Sequence, residues 1–204
     1  MKIKNGKLIR VNDTDIINGT FEFPEGITHI CHGAFYNCKS LKSIVIPTGI
    51  TRINGKVFMY CTNLESIVIP DSVTYIGSAA FFECRSLTTI VIPNGVTRIG
   101  ECAFYKCMSL KSIIIPDSVT HIGEAAFYTC QSLDSVIISN NMTCIGFRVF
   151  AECKALKSIV IPGSVTYINT YAFCDCTSLI DDIKGQIKKI NPNIRIYMEY
   201  RELW

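Results

Sequence analysis

A step of 23 residues runs through most of this chain and constrains its fold more than any other feature. Phenylalanine and cysteine both recur at that spacing, with each phenylalanine three positions before its cysteine. Self-similarity at a period of about 20 to 50 residues is typical of a solenoid, in which each repeat is a structural unit stacked on the next. A pair of residues that recurs in this way indicates repeated packing, and not one active site. The pairs are Phe35 and Cys38, Phe58 and Cys61, Phe81 and Cys84, Phe104 and Cys107, Phe127 and Cys130, Phe150 and Cys153, and Phe173 and Cys176.

One repeat, LESIVIPDSVTYIGSAAFFECRS from Leu64 to Ser86, shows how the pattern predicts structure. Its leucine and two isoleucines have the spacing L-x-x-L-x-L, which is typical of a short strand whose three apolar side chains point inward. Ser66 and Val68 then face outward, and Pro70 ends the strand because proline has no backbone N–H to donate.

The second half of the repeat predicts another short extended piece, a turn and a helix. A threonine recurs in the extended piece, as Thr74 does here, and is interpreted as structural. The residue after its isoleucine is glycine or asparagine in most repeats, which predicts a positive φ there. The segment SAAFFEC predicts about two turns of helix.

The motif LESIVIPDSVTYIGSAAFFEC resembles the BspA-like, or Treponema-type, class of leucine-rich repeats over about residues 24 to 179. This resemblance implies a binding protein, since members of the class are often bacterial or protozoan surface proteins implicated in adhesion to host or matrix proteins. Related repeats also look like the binding domains of secreted effectors.

The predicted fold class is α/β, as a single right-handed leucine-rich-repeat solenoid of six to seven 23-residue repeats. Short strands are expected on its concave face and short helices on its convex face. A solenoid needs a cap at each end. Residues 1–23, with Asn5-Gly6 as a hairpin turn, predict an N-terminal cap, residues 24–179 the repeats, and residues 180–204 a C-terminal helix and strand.

Composition argues against a membrane or nucleic-acid partner. The chain is 49 % hydrophobic, but no apolar run approaches the roughly 18 residues that cross a bilayer. The formal net charge of +3 is too small to predict nucleic-acid binding. The first residues contain no apolar stretch typical of a signal peptide, so a cytoplasmic protein, or one translocated into a host cell, is expected.

No catalytic residue, metal site or cofactor is predicted. The periodic cysteines are interpreted as reduced, buried packing residues. The segment HICH, from His29 to His32, has ligands that zinc accepts but no paired spacing elsewhere. The chain lacks the common nucleophile, phosphate-loop and zinc-protease motifs. The protein is therefore expected not to be an enzyme, with a thiol- or metal-dependent enzyme as the remaining alternative.

Two surface columns, each formed by one position of successive repeats, are the candidate partner-binding residues. The alternatives are that the first column only favours strand pairing, and that the second is a solvated edge. A third column follows the phenylalanines and is expected to pack between convex helices, or else to form an aromatic binding face. The strand-face column is Val45, Val68, Val91, Ile114, Ile137 and Val160; the edge column provides Arg52, Tyr75, Arg98 and His121.

Together these features predict a non-catalytic protein-protein interaction module. The favoured hypothesis is a bacterial effector or adaptor that recognises a host protein and acts as a monomer. The alternative is a surface adhesin that binds host or matrix proteins.

Overall fold

Most repeats form two short strands separated by a turn, and most equivalent strands of successive repeats pair in parallel. The computed structural model describes residues 1–196, and within them this arrangement confirms the predicted leucine-rich-repeat solenoid. Strand residues that face the interior are buried and those between them are exposed, as an alternating pattern requires.

The first sheet contains three-residue strands that begin with serine and precede the proline column. Equivalent residues of neighbouring repeats lie directly beside each other, so that Ser43, Ile44 and Val45 pair with Ser66, Ile67 and Val68. The sheet is interrupted at residues 89–91, which form no assigned strand. Its strands are β4 (Ser43–Val45), β6 (Ser66–Val68), β9 (Ser112–Ile114), β11 (Ser135–Ile137) and β13 (Ser158–Val160).

The second sheet is built from two-residue strands that follow the threonines. One hydrogen-bonded group contains β5 (Arg52–Ile53), β7 (Tyr75–Ile76), β8 (Arg98–Ile99) and β10 (His121–Ile122). A separate pair contains β12 (Cys144–Ile145) and β14 (Tyr167–Ile168). Thr74 supports this sheet as expected, because its hydroxyl donates to the Thr51 carbonyl oxygen at 3.2 Å. The remaining strand of this kind is β3 (His29–Ile30).

A stack of phenylalanine rings forms the centre of the core. All seven repeat phenylalanines are fully buried, and consecutive rings from Phe35 to Phe173 stack with centroids 5.1 to 5.6 Å apart. Aromatic pairs at this spacing add to the free energy gained by burying their area. The core therefore runs as one continuous column along the solenoid.

The third side of each repeat consists of consecutive turns, where short helices were predicted. Two residues in each of several repeats have positive φ, such as Ala79 at 55° and Glu83 at 57°, which a right-handed helix does not accept. Their backbone N–H groups donate to the next repeat instead, Ala79 to Glu101 at 2.8 Å and Glu83 to Tyr105 at 2.7 Å. Hydrogen bonds between repeats thus replace the helical ones, since a two-turn helix must also meet the cost of nucleation.

The prediction of positive φ at the glycine column is wrong, and close backbone contact explains the glycines instead. None of Gly77, Gly100 and Gly123 is among the positive-φ residues. A Cβ atom added to Gly77 would lie 2.5 Å from the backbone nitrogen of Gly55, and Gly100 and Gly123 meet the preceding repeat equally closely. Glycine is therefore needed here because adjacent repeats touch through their backbones.

Different elements cover the two ends. At the N-terminus, β1 (Lys2–Lys4) and β2 (Lys7–Arg10) form an antiparallel hairpin, and β2 pairs in parallel with β3. A short 3-10 helix, Asp13–Asp15, follows this hairpin. At the C-terminus, helix α1 (Asp181–Ile190) packs against β14. The strand predicted over residues 193–200 falls partly outside the described residues, and no strand is assigned within residues 193–196.

Candidate protein-binding surfaces

The strand-face column is an exposed apolar stripe across the first sheet. Its six side chains are between 46 and 79 % exposed, with Val91 the most exposed, while the isoleucine or valine before each is buried. Where the strands pair in register, neighbouring side chains of the column are roughly 4.8 Å apart. An apolar stripe of this kind has an area on the order of a few hundred Å², the scale of surface patches that bind partners.

A groove of about 680 Å³ lies on this face, at the interruption of the first sheet. Val91, Ile114 and Ile137 of the strand-face column line the groove, so the structure brings these three predicted residues together. Asp117 lines it too, and its pKa is lowered because the backbone and side chain of Asn140 donate hydrogen bonds to its carboxylate. The groove therefore combines apolar side chains with an acidic residue that is ionised at neutral pH.

A second groove, here called the trough, runs beside the second sheet and has a volume of about 810 Å³. The four predicted residues of the edge column all line it, and Arg52 stacks over the Tyr75 ring with its guanidinium carbon 4.7 Å from the ring centroid. The sequence predicts that these residues share one edge, and the structure brings them together along the trough. They are Arg52, Tyr75, Arg98 and His121.

The glycine column, which also lines the trough, separates the edge column, here called one wall, from a second wall that was not predicted from the sequence. The second wall carries Glu101, Glu124 and Phe147, which lie three positions after the edge column in their own repeats. The signal that could have found them is the variability of that position, which also holds glycine, serine and threonine. Variable positions on a regular repeat are the natural sites for residues that contact a partner.

The two walls of the trough have different electrostatic character. Arg98 is exposed on one wall, and Glu101 and Glu124 are exposed on the other. Burial lowers the pKa of His121, and Arg98 nearby lowers it further, so this imidazole is neutral at pH 7. Arg98 therefore carries the positive charge on its part of the wall.

The column that follows the repeat phenylalanines packs against itself, as one of its two interpretations requires. Phe82 stacks on Tyr105 with ring centroids 4.5 Å apart, and Tyr105 stacks on Tyr128 at 5.1 Å. The Tyr128 hydroxyl donates to Glu152, and burial together with this acceptor raises the pKa of Tyr128 to about 12. The ring faces are largely used within the protein, so the column contributes to stacking between repeats.

The repeat cysteines have a structural role that includes a hydrogen bond. The Cys84 thiol donates to the Phe58 carbonyl oxygen of the preceding repeat at 3.1 Å, and five other repeat cysteines do the same at 3.0 to 3.2 Å. Burial raises the pKa of these thiols, and that of Cys38 to about 11. All eleven cysteines are free thiols in the structure, and no group of metal-binding side chains occurs in residues 1–196.

Sequence comparison identifies the family. The profile of the BspA type leucine rich repeat region matches residues 17–61 and 51–180, with six copies of the repeat. The chain belongs to the BspA-type leucine-rich-repeat family. A search of curated proteins gave no significant match. The predicted resemblance is thus confirmed, and the family places the chain among leucine-rich-repeat scaffolds that bind proteins.

Solved structures support the same assignment. A leucine rich repeat protein of Treponema pallidum, TpLRR, is 29 % identical with a TM-score of 0.85, over 88 % of this chain and 86 % of that one. A Bacteroides ovatus leucine-rich repeat protein is 29 % identical with a TM-score of 0.66, over 82 % of this chain and 49 % of that one. The pneumococcal vaccine antigen PcpA is similar in fold, at 20 % identity and a TM-score of 0.50, over 96 % of this chain and 45 % of PcpA. The chain therefore spans most of TpLRR and about half of the other two proteins.

Within the described residues, no helix is both long and apolar enough to cross a membrane.

Proposed function

We propose that this BspA-type chain is a non-catalytic protein-recognition module that uses the strand-face column as its main contact surface. The observation that supports this proposal is the exposed row of six β-branched side chains along the first sheet, whose assigned strands pair in register. Burying them against a partner removes apolar area from water without a change of fold in this protein. The rigid stack of repeats thus keeps the ordering cost of binding low.

The groove beside Val91 provides the centre of this surface. An apolar pocket with a polar rim resembles the core and rim of a protein interface. A side chain from a partner would fill the space between Val91, Ile114 and Ile137, while Asp117 at the rim accepts hydrogen bonds. Residues at the centre of an interface commonly dominate its binding free energy, so Val91 and Ile114 are the proposed anchors.

The partner proposed here is a host protein, which the chain recognises as a monomer in the role of an effector or adaptor. A surface adhesin would use the same strand face, but it would bind host or matrix proteins outside the cell. The place where the protein acts distinguishes the two roles. Detection inside host cells by fractionation supports the effector or adaptor, and display on the producing cell, shown by its digestion with added protease, supports the adhesin.

Affinity capture with matched variants tests the proposed contact surface. The parent protein and a Val91→Lys, Ile114→Lys variant are immobilised and exposed to host-cell lysate and to purified matrix proteins. A Lys2→Glu variant, changed outside the column, is the control, and circular dichroism checks that all three are folded. The lysines should weaken retention of the partner about thirtyfold or more, since they place charges in a dry apolar contact. Equal retention by all three proteins would contradict the strand-face assignment.

A further inference from the structure

One end of the trough lies at a break in the second sheet. Strands β10 and β12 belong to adjacent repeats but are not paired, although β10 pairs with β8 and β12 with β14. At most other junctions the backbone N–H in the glycine column donates to the isoleucine carbonyl of the preceding repeat, as Gly123 does to Ile99 at 2.8 Å. No described residue donates in this way to the Ile122 carbonyl, and the Gly146 N–H makes no such bond within residues 1–196.

Asparagine side chains repair equivalent gaps elsewhere in the solenoid. The side-chain amide of Asn54, which occupies the same column as Gly146, donates to the Ile30 carbonyl at 2.7 Å. Asn191 does the same for the Ile168 carbonyl at the C-terminal end. Gly146 has no side chain to reach Ile122. Both residues line the trough. Ile122 is buried, and its backbone carbonyl receives no hydrogen bond from the rest of the described chain.

The charges around this gap also lack ion-pair partners. Among the described residues, no salt bridge within 4 Å involves Arg98, Glu101 or Glu124. Glu101 and Glu124 are equivalent residues of neighbouring repeats, so two like charges lie on the same wall. A ligand that places a cation against this wall and an anion against Arg98 would neutralise both sides.

We propose that the trough binds an extended segment of a partner protein in which acidic and basic side chains alternate. Successive side chains of an extended segment point to opposite sides, so alternation directs acids to one wall and bases to the other. The segment's amide N–H groups can donate to the open Ile122 carbonyl. This proposal rests on the proposed recognition function but adds a second contact region, which the strand-face column does not share.

A short peptide measures this binding directly. The probe is a fluorescein-labelled peptide of about eight residues with alternating glutamate and lysine, roughly 26 Å long when extended, against a trough of roughly 20 Å. A block peptide with the same composition, its glutamates before its lysines, is the control. Fluorescence anisotropy should show about tenfold tighter binding of the alternating peptide, because only that peptide matches both walls at once. Equal affinity for both peptides overturns the proposal.

Charge reversal on the walls provides a stricter test. Arg98→Glu reverses the charge in the middle of the edge-column wall, where Arg52 remains, and should weaken binding of the alternating peptide about tenfold, whereas Lys111→Glu makes the same change in net charge outside the trough and should leave it unchanged. Adding Glu101→Lys and Glu124→Lys to Arg98→Glu exchanges the charges of Arg98 and the two glutamates between the walls. The same peptide, shifted by one residue, should then bind with nearly parental affinity. Continued weak binding by this folded triple variant would contradict recognition by opposed walls.

Closing the gap tests the role of the Ile122 carbonyl. Gly146→Asn introduces the residue that Asn54 provides in the same column, and an added Cβ there has space, since its nearest neighbour is a Val149 methyl at 3.7 Å. The new amide should occupy the carbonyl and weaken peptide binding about tenfold while the strand face still captures its partner. Unchanged peptide affinity would overturn the role of this acceptor.

If Val91→Lys, Ile114→Lys abolishes capture but the parent does not bind the alternating peptide, only the trough proposal fails.

Discussion

Replacing Gly100 with alanine should destabilise the solenoid, because the glycine column brings adjacent backbones into contact. The added Cβ would lie 2.6 Å from the Gly77 carbonyl carbon and closer still to the Ser78 nitrogen. Neither neighbour is a flexible side chain, so the two repeats must move apart. That movement strains the hydrogen bond from Gly100 N–H to the Ile76 carbonyl, now 2.8 Å long.

The magnitude follows from two contributions. Overpacking a close contact costs about 1 to 3 kcal/mol, and weakening one backbone hydrogen bond costs about 1 kcal/mol. The lower flexibility of alanine in the unfolded chain offsets about 0.5 kcal/mol. Gly100→Ala should therefore lower the free energy of unfolding by about 1.5 to 3.5 kcal/mol, or lower Tm by roughly 3 to 14 °C for a chain of this length.

Gly146→Ala is the matched control, since it changes the same column where the neighbouring repeat does not press against the glycine. It should leave stability unchanged or raise it by about 0.5 kcal/mol. Urea unfolding followed by circular dichroism and differential scanning calorimetry compare the two variants with the parent. Equal stabilities for Gly100→Ala and Gly146→Ala would refute the explanation of the glycines by backbone contact.

Three further predictions concern the core and the cysteines. Phe104→Ala removes a ring from the middle of the stack and should cost about 3 to 5 kcal/mol in urea unfolding; a parental midpoint would contradict its place in the core. Because burial raises the pKa of the repeat thiols, the stability they contribute is complete below the pKa of unfolded cysteine, about 8.5, and is lost above it. Urea midpoints under reducing conditions should thus fall between pH 8 and pH 9.5, and a constant midpoint would speak against buried, protonated thiols. In the native protein, iodoacetamide should modify exposed Cys144 well before the buried repeat cysteines, which peptide mass spectrometry can follow; rapid labelling of Cys107 would disagree with the structure.

The structure at the periodic positions could be predicted from the sequence, because the residue type at each position has a local structural preference. Alternation around Ile67 predicts an inward and an outward face, Pro70 predicts the end of a strand, and the repeated Phe81 and Cys84 predict a buried column. The structure confirms these placements. The repetition makes these positions predictable, because a residue type found at the same position in many repeats is averaged over many environments.

The features that sequence reasoning missed depend on contacts between repeats. The segment around Phe81 has good helix formers, yet its backbone bonds to the next repeat, and local propensity does not include that alternative. The glycine column was explained by local backbone conformation, although the cause is the distance to the preceding turn. Glu101 and Glu124 look like solvated surface in the sequence, and only the structure shows that they line one trough together with Arg98.

Photo-crosslinking from the strand face most directly tests whether this surface recognises a protein. A photoreactive amino acid replaces Val91 in one variant and exposed Lys39, outside the strand-face column, in another. Both are irradiated in host-cell lysate and in the presence of matrix proteins. If the strand face recognises a protein, position 91 should give a discrete protein adduct. Unlabelled parent protein should prevent its formation, and position 39 should not give it. No competable adduct from position 91, or the same adduct from both positions, would contradict recognition through the strand face.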